Sequence, residues 1–348
     1  MKPAATDTQD AIQAELLNAI QWDFPLSETP FADLGERLEV SETEVIDRLQ
    51  SAKDGGVLRQ LSAIFDTRSL GYSSSLVAAR IADEEVDAAA QRLNAHPGIS
   101  HNYKRNHEFN LWYTVAVPPD SSFEDHLDAL HEISGSESTR VLPTLKLFKI
   151  GVKLDMTGER RSTAKEKVAA HEKRELPSEK PVIDARERDA IRALQEDLPL
   201  VAKPFEAAGE ALGFSGGELV ECAKSFVDRK LMRRFAAVMN HRSAGFKANA
   251  MGVWAVPEDV VEEIGPVMAS FASVSHCYRR PTYEDWPYSV FTMIHGRNSD
   301  EIAEAVAAIE AETGISDHDL LWSVKEYKKV RVRYFTPDWD EWENENLS

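Results

Sequence analysis

The chain contains 348 residues, of which 43% are hydrophobic, and carries a formal net charge of −19. Its length allows about two globular domains, and its acidity argues against a broad nucleic-acid-binding surface, which needs Lys and Arg to neutralise phosphates. No apolar run approaches the roughly 18 residues that span a bilayer and residues 1–10 lack the apolar segment of a secretory signal, so we expect a cytoplasmic protein without a membrane partner.

Each half of the chain opens with three short predicted helices. Apolar residues recur at helical spacing over 10–50 and again over 184–226, in the order typical of a winged helix-turn-helix. A helix that reads DNA presents Arg, Lys, Asn or Gln to the bases. The third helices instead carry mainly acidic residues, namely Glu42, Glu44 and Asp47, then Glu218, Glu221 and Asp228. We therefore expect no nucleic-acid partner.

Strand-like sequence follows each helical set. In the first half, strands are predicted at 58–65, 75–81, 99–105, 111–117 and 142–152, with helices at 84–94 and 123–133. In the second half, strands are predicted at 232–240, 248–256, 274–280, 289–295 and 320–332, with helices at 259–270 and 299–312. The order strand, helix, strand, strand, helix, strand predicts a ferredoxin-like antiparallel sheet with two helices on one face.

The two halves also repeat in sequence. Val57-Leu-Arg-Gln-Leu-Ser-Ala-Ile-Phe-Asp-Thr-Arg-Ser-Leu-Gly-Tyr72 returns without a gap as Leu231-Met-Arg-Arg-Phe-Ala-Ala-Val-Met-Asn-His-Arg-Ser-Ala-Gly-Phe246. Ile99-Ser-His-Asn-Tyr-Lys-Arg105 returns as Val274-Ser-His-Cys-Tyr-Arg-Arg280. The predicted fold is therefore α+β, with two tandem copies of a winged helix-turn-helix plus a ferredoxin-like (βαββαβ) domain.

These patterns predict the domain boundaries. The first copy spans residues 1–154, a charged linker 155–181, the second copy 182–335 and an acidic tail 336–348. We expect the tail to lie on the surface, although Trp339 and Trp342 could pack on the other half. Cys222 and Cys277 are far apart and suggest neither a disulfide framework nor a metal site, and Cys277 is expected to be a packing residue.

A candidate site follows from the residues that the copies share. On a strand, His276, Tyr278 and Arg280 point to one face because side chains alternate, and His101, Tyr103 and Arg105 do the same in the first copy. The Arg guanidinium binds carboxylates, and a nearby His can supply or accept a proton. The pattern predicts a face open to an anionic ligand, with a solvated sheet face as the alternative. Residues 280–288 are either a packed hairpin loop or one wall of a pocket for a flat ligand.

At these residues the chain resembles a known family. The helix-turn-helix followed by a ferredoxin-like domain resembles the Lrp/AsnC regulators, and several second-copy segments resemble the sirohaem decarboxylases. These segments are Met232 to Arg242, Ser275-His-Cys-Tyr-Arg-Arg-Pro-Thr-Tyr283, Trp286-Pro-Tyr288, Phe291-Thr-Met-Ile-His-Gly296 and Lys325-Glu-Tyr-Lys-Lys329. Two first-copy segments, Ala63 to Tyr72 and His96 to Tyr113, resemble the companion subunit. The chain thus looks like a fused protein of the NirD/NirL type, related to the AhbA/AhbB pair.

The resemblance implies a reaction. The C12 and C18 acetate carboxylates of sirohaem would be removed, giving 12,18-didecarboxysirohaem on the route to haem d1 or, in other organisms, to haem. It implies no added cofactor, so the macrocycle of sirohaem, which carries its own iron, would itself accept the electron pair left when carbon dioxide departs. The many carboxylates of sirohaem would explain a cluster of Arg in an acidic protein.

The resemblance also implies roles for residues. His276 would be the general acid and Tyr283 a second candidate, while Arg233, Arg234 and Arg280 would anchor carboxylates. His241, Arg242 and Lys325 would line or brace the pocket. A second site is left open by Arg59, His101, Arg105 and His107. The first copy has Gln60, Thr67 and Asn106 where the second has Arg234, His241 and Pro281, so we expect the main site in the second copy. No protein-held metal is expected, and His295 is expected to be a hydrogen-bonded structural group rather than an iron ligand.

Two rival functions stay open at this point. One is a ligand-sensing Lrp/AsnC-type transcription regulator, and the other is a tetrapyrrole carrier without turnover. The two ferredoxin-like sheets could pair within one chain or between chains of a homo-oligomer.

Overall fold

The computed structural model describes residues 5–150, 164–165, 181–239 and 248–347. The helices are α1 (Ala5–Trp22), α2 (Pro30–Leu38), α3 (Glu42–Asp54), α4 (Val86–Asn94), α5 (Phe123–Ser134), α6 (Ala185–Leu194), α7 (Pro204–Gly209), α8 (Gly216–Asp228), α9 (Val261–Ala269), α10 (Ser299–Thr313) and α11 (Asp338–Asn346). The strands are β1 (Leu58–Phe65), β2 (Ser73–Arg80), β3 (Ile99–Arg105), β4 (Leu111–Val117), β5 (Ser138–Leu142), β6 (Lys146–Ile150), β7 (Met232–Met239), β8 (Ala248–Trp254), β9 (Val274–Arg279), β10 (Val290–Gly296) and β11 (His318–Lys329).

The chain divides into two compact units that do not follow the repeat. The first unit combines Met1–Tyr72, Leu176–His241 and Arg333–Trp339. The second combines Ser73–Glu175, Arg242–Val332 and Asp340–Ser348. Each copy therefore contributes its helix-turn-helix to the first unit and its ferredoxin-like part to the second, so the repeat boundaries and the compact units are different divisions of one chain.

In the first unit, the same local signals start equivalent helices in both copies. A proline opens α2 and α7, where its missing N–H needs no partner. The hydroxyls of Ser41 and Ser215 accept hydrogen bonds from the third backbone N–H of α3 and α8. Strand β1 pairs antiparallel with β7. The ring of Phe235 on β7 stacks on Phe24 at 5.2 Å and lies 5.5 Å from Phe205, so both copies share one core.

In the second unit, the strands form one antiparallel nine-stranded sheet in the order β5-β2-β4-β3-β11-β8-β10-β9-β6. Helices α4 and α5 cover the first-copy strands, and α9 and α10 cover those of the second copy. A third apolar cluster joins residues of both copies, among them Trp112, Trp286 and Phe291. The ferredoxin-like sheets therefore pair within one chain.

The last strands of the two copies are exchanged. Strand β6 of the first copy pairs with β9 of the second. Strand β11 of the second copy pairs with β8 near its start and with β3 of the first copy near its end. Strand β3, which contains His101, is therefore flanked by β11 of the second copy. Strand β9, which contains His276, is flanked by β6 of the first copy.

Two expectations are corrected here. The predicted strand at 142–152 is not continuous: β5 ends at Leu142, before Pro143, which has no N–H for a sheet, and β6 covers Lys146–Ile150. Residues 151–152 lie outside the described residues. The predicted surface tail instead contains helix α11, in which Trp339 and Trp342 are buried. Trp342 packs into the first-copy core, which was the alternative for the tail. The predicted linker lies outside the described residues apart from Ala164, Lys165 and Pro181. No described helix is long and apolar enough to cross a membrane.

Candidate active site

The central element of the candidate site is β9. Its register with β10 shifts between Met293 and Ile294, which makes Ser275 an extra residue in a β-bulge. Val274 and Cys277 enter the core beneath the helices, where burial raises the pKa of the Cys277 thiol. Cys277 is thus a packing residue, as predicted. His276 and Tyr278 are half-buried on the other face.

The bulge brings three polar side chains together. The hydroxyl of buried Ser275 lies 2.8 Å from Nδ1 of His276 and 2.7 Å from Nε2 of His295 on β10. Among the described residues, Nε2 of His276 has no hydrogen-bond partner. One nitrogen of His276 is thus held by the protein, while the other is available to a ligand.

The predicted common face of β9 is confirmed by the ring geometry. The rings of His276 and Tyr278 stack with centroids 6.0 Å apart. The guanidinium carbon of Arg280 lies 5.1 Å from the Tyr278 ring and 5.3 Å from that of Phe291. Arg280 also donates to the carbonyl of Leu142 on β5, so it braces a strand of the first copy.

The first copy repeats this arrangement on β3. The hydroxyl of Ser100 lies 3.0 Å from Nδ1 of His101, and the His101 and Tyr103 rings are 6.3 Å apart. The guanidinium of Arg105 lies 5.7 Å from the Tyr103 ring and donates to the Leu321 carbonyl of β11 at 2.9 Å. Two equivalent histidine strands therefore exist, each braced against the other copy by an arginine.

The exchanged strands make the two surroundings different. On β6, Ile150 lies opposite His276 and Lys149 opposite Cys277. On β11, Lys329 lies opposite His101 and Glu326 opposite Tyr103. The strand beside His276 is thus apolar at the position where the strand beside His101 carries a cation.

Lys325 was expected to line the pocket of His276. It lies on β11 opposite Lys104, and its ammonium is 3.0 Å from the Asp87 carboxylate. The structure therefore groups Lys325 with the His101 strand. The reason is that β11 crosses to the first copy, which its own sequence pattern does not indicate.

Tyr283 lies in the loop that follows β9. Its hydroxyl donates to the Val141 carbonyl at 2.6 Å, and the guanidinium of Arg140 lies 5.3 Å from its ring. Arg140 in turn binds both carboxylate oxygens of Asp285, at 2.7 and 2.5 Å. Trp286 is fully buried, so the loop is packed against the protein, while 37% of Tyr283 stays exposed.

Other predicted residues belong to the first unit or fall outside the description. Arg233 binds Asp66 through Nε at 2.9 Å and Nη2 at 2.7 Å. Arg234 stacks over Trp22 at 4.5 Å, and Arg59 is exposed on β1. These three arginines lie in the first unit, whereas His276, Arg280 and Tyr283 lie in the second. His241 and Arg242 lie outside the described residues.

The remaining second-site candidates have structural contacts. Nδ1 of His107 accepts a hydrogen bond from the Phe109 backbone at 3.0 Å, and its ring lies 5.3 Å from Trp286. Arg105 is only 7% exposed, and its burial lowers its pKa to about 10. The structure therefore packs His107 and Arg105 as braces around the first-copy strand.

Burial lowers the pKa of His276, and the nearby Lys149 lowers it further. Burial also lowers the pKa of His295, with His276 adding to the effect. In the first copy, burial and then Lys329 lower the pKa of His101, while Glu326 opposes them. These histidines are therefore held in the neutral form at neutral pH, and each is a stronger acid when it does carry a proton.

Sequence reasoning missed Ser275, Lys149 and Arg140. A serine stands before the repeated histidine in both copies, Ser100 before His101 and Ser275 before His276. This repetition could have identified Ser275 from the sequence. His295 was expected to be hydrogen-bonded, and its contact with Ser275 confirms this. Lys149 is buried with its ammonium 3.0 Å from the Phe271 carbonyl, and no local pattern places that strand beside β9.

Two family descriptions match the chain. "AsnC-like ligand binding domain" matches residues 69–149 and 243–328. "Siroheme decarboxylase NirDL-like HTH domain" matches residues 13–59 and 187–233. Each description thus matches once in each copy, in agreement with the repeat and the α+β fold.

Individual proteins are similar over almost the full length. The chain is 37% identical to the "Siroheme decarboxylase" of Hydrogenobacter thermophilus, over 96% of this chain and 98% of that protein. It is 31% identical to the "Siroheme decarboxylase NirDL subunit" of Paracoccus denitrificans, over 92% and 97%. A crystal structure of siroheme decarboxylase NirDL in co-complex with an iron-uroporphyrin III analogue matches 97% of this chain and 98% of its own, at 32% identity and a TM-score of 0.78. The chain therefore belongs to the sirohaem decarboxylase family, in its fused NirDL form.

Proposed function

We propose that this chain removes the C12 and C18 acetate carboxylates of sirohaem and releases 12,18-didecarboxysirohaem. The observation that supports the proposed site residues is the arrangement of side chains on one face of β9. There, His276 has one nitrogen bound by Ser275 and the other without a partner among the described residues, beside Tyr278 and Arg280. Family membership supports the substrate class.

The chemistry needs a proton at the carbon that loses carbon dioxide. When the bond between the acetate methylene and its carboxylate breaks, the electron pair stays on the tetrapyrrole side. Protonation of the methylene then gives a methyl group. His276 is placed to supply that proton, because a histidine near neutral pH is an effective general acid. The iron belongs to the substrate, and the proposal includes no added cofactor or protein-held metal.

Several residues proposed to bind or protonate the substrate also have hydrogen-bond partners within the protein. Arg280 remains an anchor in the proposal because it lies on the same face as His276, although it also donates to Leu142. Tyr283 stays the second candidate for the proton donor, but its hydroxyl must first leave the Val141 carbonyl. Arg233 and Arg234 stay proposed carboxylate anchors. Both belong to the first unit.

A DNA-binding function is not favoured by the third helices. On α3, Arg48 binds Glu44 at 2.6 Å and Lys53 binds Asp197 at 2.5 Å. On α8, Lys224 binds Glu221 at 2.8 Å. The cations on both helices are already neutralised by carboxylates, so they are poorly placed to release counterions from DNA. We propose an enzyme without a nucleic-acid partner, located in the cytoplasm.

The test is anaerobic incubation of the full chain with sirohaem, followed by mass spectrometry of the tetrapyrrole and measurement of released carbon dioxide. We expect two carbon dioxide molecules per sirohaem. Tight binding of unchanged sirohaem would favour a carrier. Salt-resistant binding of specific duplex DNA, modulated by a tetrapyrrole, would favour a regulator.

A further inference from the structure

The bulge of β9 links two histidines through one hydroxyl. Ser275 is buried, and its hydroxyl contacts Nδ1 of His276 at 2.8 Å and Nε2 of His295 at 2.7 Å. A hydroxyl has one proton to donate and two lone pairs to accept with. The hydroxyl also lies 3.3 Å from the Met293 carbonyl, which can accept the same proton. The shorter contacts are both satisfied when Nε2–H of His295 donates to Ser275 and the Ser275 O–H donates to His276. In that arrangement His276 carries its own proton on Nε2.

Only the second copy contains both the serine and the two histidines at these strand positions. His276 lies opposite Met293 on β10, and His295 is two residues further along the same strand. In the first copy, His101 lies opposite Thr114 on β4, so the equivalent position is Ala116. Ser100 still contacts His101 at 3.0 Å. The first copy thus keeps the serine and the first histidine but has a methyl group in place of the second histidine.

We propose that His295 is a relay residue that supplies protons to His276 through Ser275 during decarboxylation. This inference rests on the proposed function. It assigns the proton source to the second copy, and it predicts that the second-copy strand is the active one. His295 and Ser275 act through His276, so they are relay and positioning residues rather than catalytic ones.

The proton transfers balance over one decarboxylation. His295 first takes up one proton from solvent and becomes an imidazolium. As the substrate methylene accepts the Nε2 proton of His276, Nδ1 of His276 takes the Ser275 hydroxyl proton. Ser275 takes the Nε2 proton of His295 in the same chain. His295 is left neutral with its proton on Nδ1, and each released carbon dioxide consumes one solvent proton. Before the next decarboxylation the chain resets without net proton uptake: Nε2 of His276 takes a proton from solvent, Nδ1 of His276 returns its proton to Ser275, Ser275 returns one to Nε2 of His295, and His295 releases its Nδ1 proton.

Among the described residues, no charged partner stabilises a proton on His295. Its position opposite Asn249 on β8 places an uncharged residue there, and Lys149 of β6 is the charged residue that acts on His276 from the other side. Burial lowers the pKa of both histidines. A proton on this pair is therefore given up readily to the carbanion-like substrate.

The experiment compares His295→Gln and Ser275→Ala with wild type, and uses Ser100→Ala as the matched control in the first copy. Glutamine can still donate a hydrogen bond to Ser275 but cannot carry a proton. We measure the sirohaem Kd by absorbance titration and the single-turnover decarboxylation rate at saturating sirohaem from pH 5.5 to 8.5, in water and in deuterium oxide.

For both second-copy variants, the relay predicts a rate about 10-fold or more below wild type with Kd nearly unchanged, since general acid–base steps contribute at least this much. The pH dependence of the rate should change with the loss of His295, and the double variant should be no slower than the slower single variant. Ser100→Ala should keep the wild-type rate.

Three outcomes overturn the relay: a wild-type rate and pH profile in His295→Gln, a loss confined to Kd, or losses that multiply in the double variant. If wild type binds sirohaem but releases no carbon dioxide, the proposed function itself fails. If wild type releases carbon dioxide and His295→Gln keeps the wild-type rate, only the relay is rejected.

Discussion

Arg105 and Arg280 occupy equivalent positions after the histidine of each copy, and both guanidinium groups reach the other copy. Arg105 donates to Leu321 on β11, and Arg280 donates to Leu142 on β5. The sequence predicted their position on the histidine face, with Arg280 as a carboxylate anchor and Arg105 as a residue of a possible second site. The bracing role needs the pairing of strands from different copies, which residue type and spacing do not reveal.

Substitution of Arg105 should therefore weaken the fold. In Arg105→Gln, the Leu321 carbonyl loses a charged donor at a buried position, so we expect the free energy of unfolding to fall by about 2–3 kcal/mol. Urea unfolding measures the change. The control is Arg59→Gln, because Arg59 is exposed on β1 and should change stability by less than about 0.5 kcal/mol. Equal stability of the two variants would contradict the bracing role.

Among the helices and strands, alternation and helical periodicity predicted most of the described elements of both units. Strands β1, β3 and β4 have the predicted bounds. Periodicity could not predict that β6 and β11 exchange between copies, because register between distant strands depends on tertiary packing. This is why Lys325 was grouped with the wrong histidine strand. The tail was expected on the surface because its composition is acidic, whereas the alternative, packing of its two tryptophans, is what the structure shows.

Helix α11 offers a direct test of tail packing. The Trp342 ring lies 5.0 Å from that of His126 and 4.3 Å from that of His96, and Trp342 is 7% exposed. Trp342→Ala should lower the free energy of unfolding by about 3 kcal/mol, as for other large core truncations. Trp22→Ala is the control, because Trp22 is 70% exposed and should cost less than about 1 kcal/mol. A Trp342→Ala variant as stable as wild type in chemical denaturation would show that the tail is not part of the core.

At the scale of the whole molecule, two copies in one chain build two composite units. The sequence repeat predicted the architecture of each copy, but it could not show that equivalent parts of the copies associate. The second unit also collects histidines whose pKa is lowered chiefly by burial, namely His96, His101, His107, His126, His276 and His295. The folded state therefore binds fewer protons than the unfolded chain at mildly acidic pH.

The stability of the protein should depend on pH accordingly. A histidine with a lowered folded-state pKa contributes its full stability above its ordinary value of 6.5, and this contribution is lost as the pH falls below that value. We expect the urea midpoint to decrease from pH 7.5 to pH 5.5 and to be nearly constant between pH 7.5 and pH 8.5. A midpoint that rises on acidification to pH 5.5 would contradict the burial of neutral histidines.

We propose that strand β9 of the second copy carries the decarboxylation chemistry. Its most direct test is the rate of carbon dioxide release from sirohaem, measured anaerobically for His276→Gln and for its first-copy counterpart His101→Gln. We expect a loss of about 100-fold or more in His276→Gln with sirohaem still bound, as for removal of a general acid, and a rate close to wild type in His101→Gln. Full activity in His276→Gln, or a loss only in His101→Gln, would contradict the account and place the chemistry on Tyr283 or on the first copy.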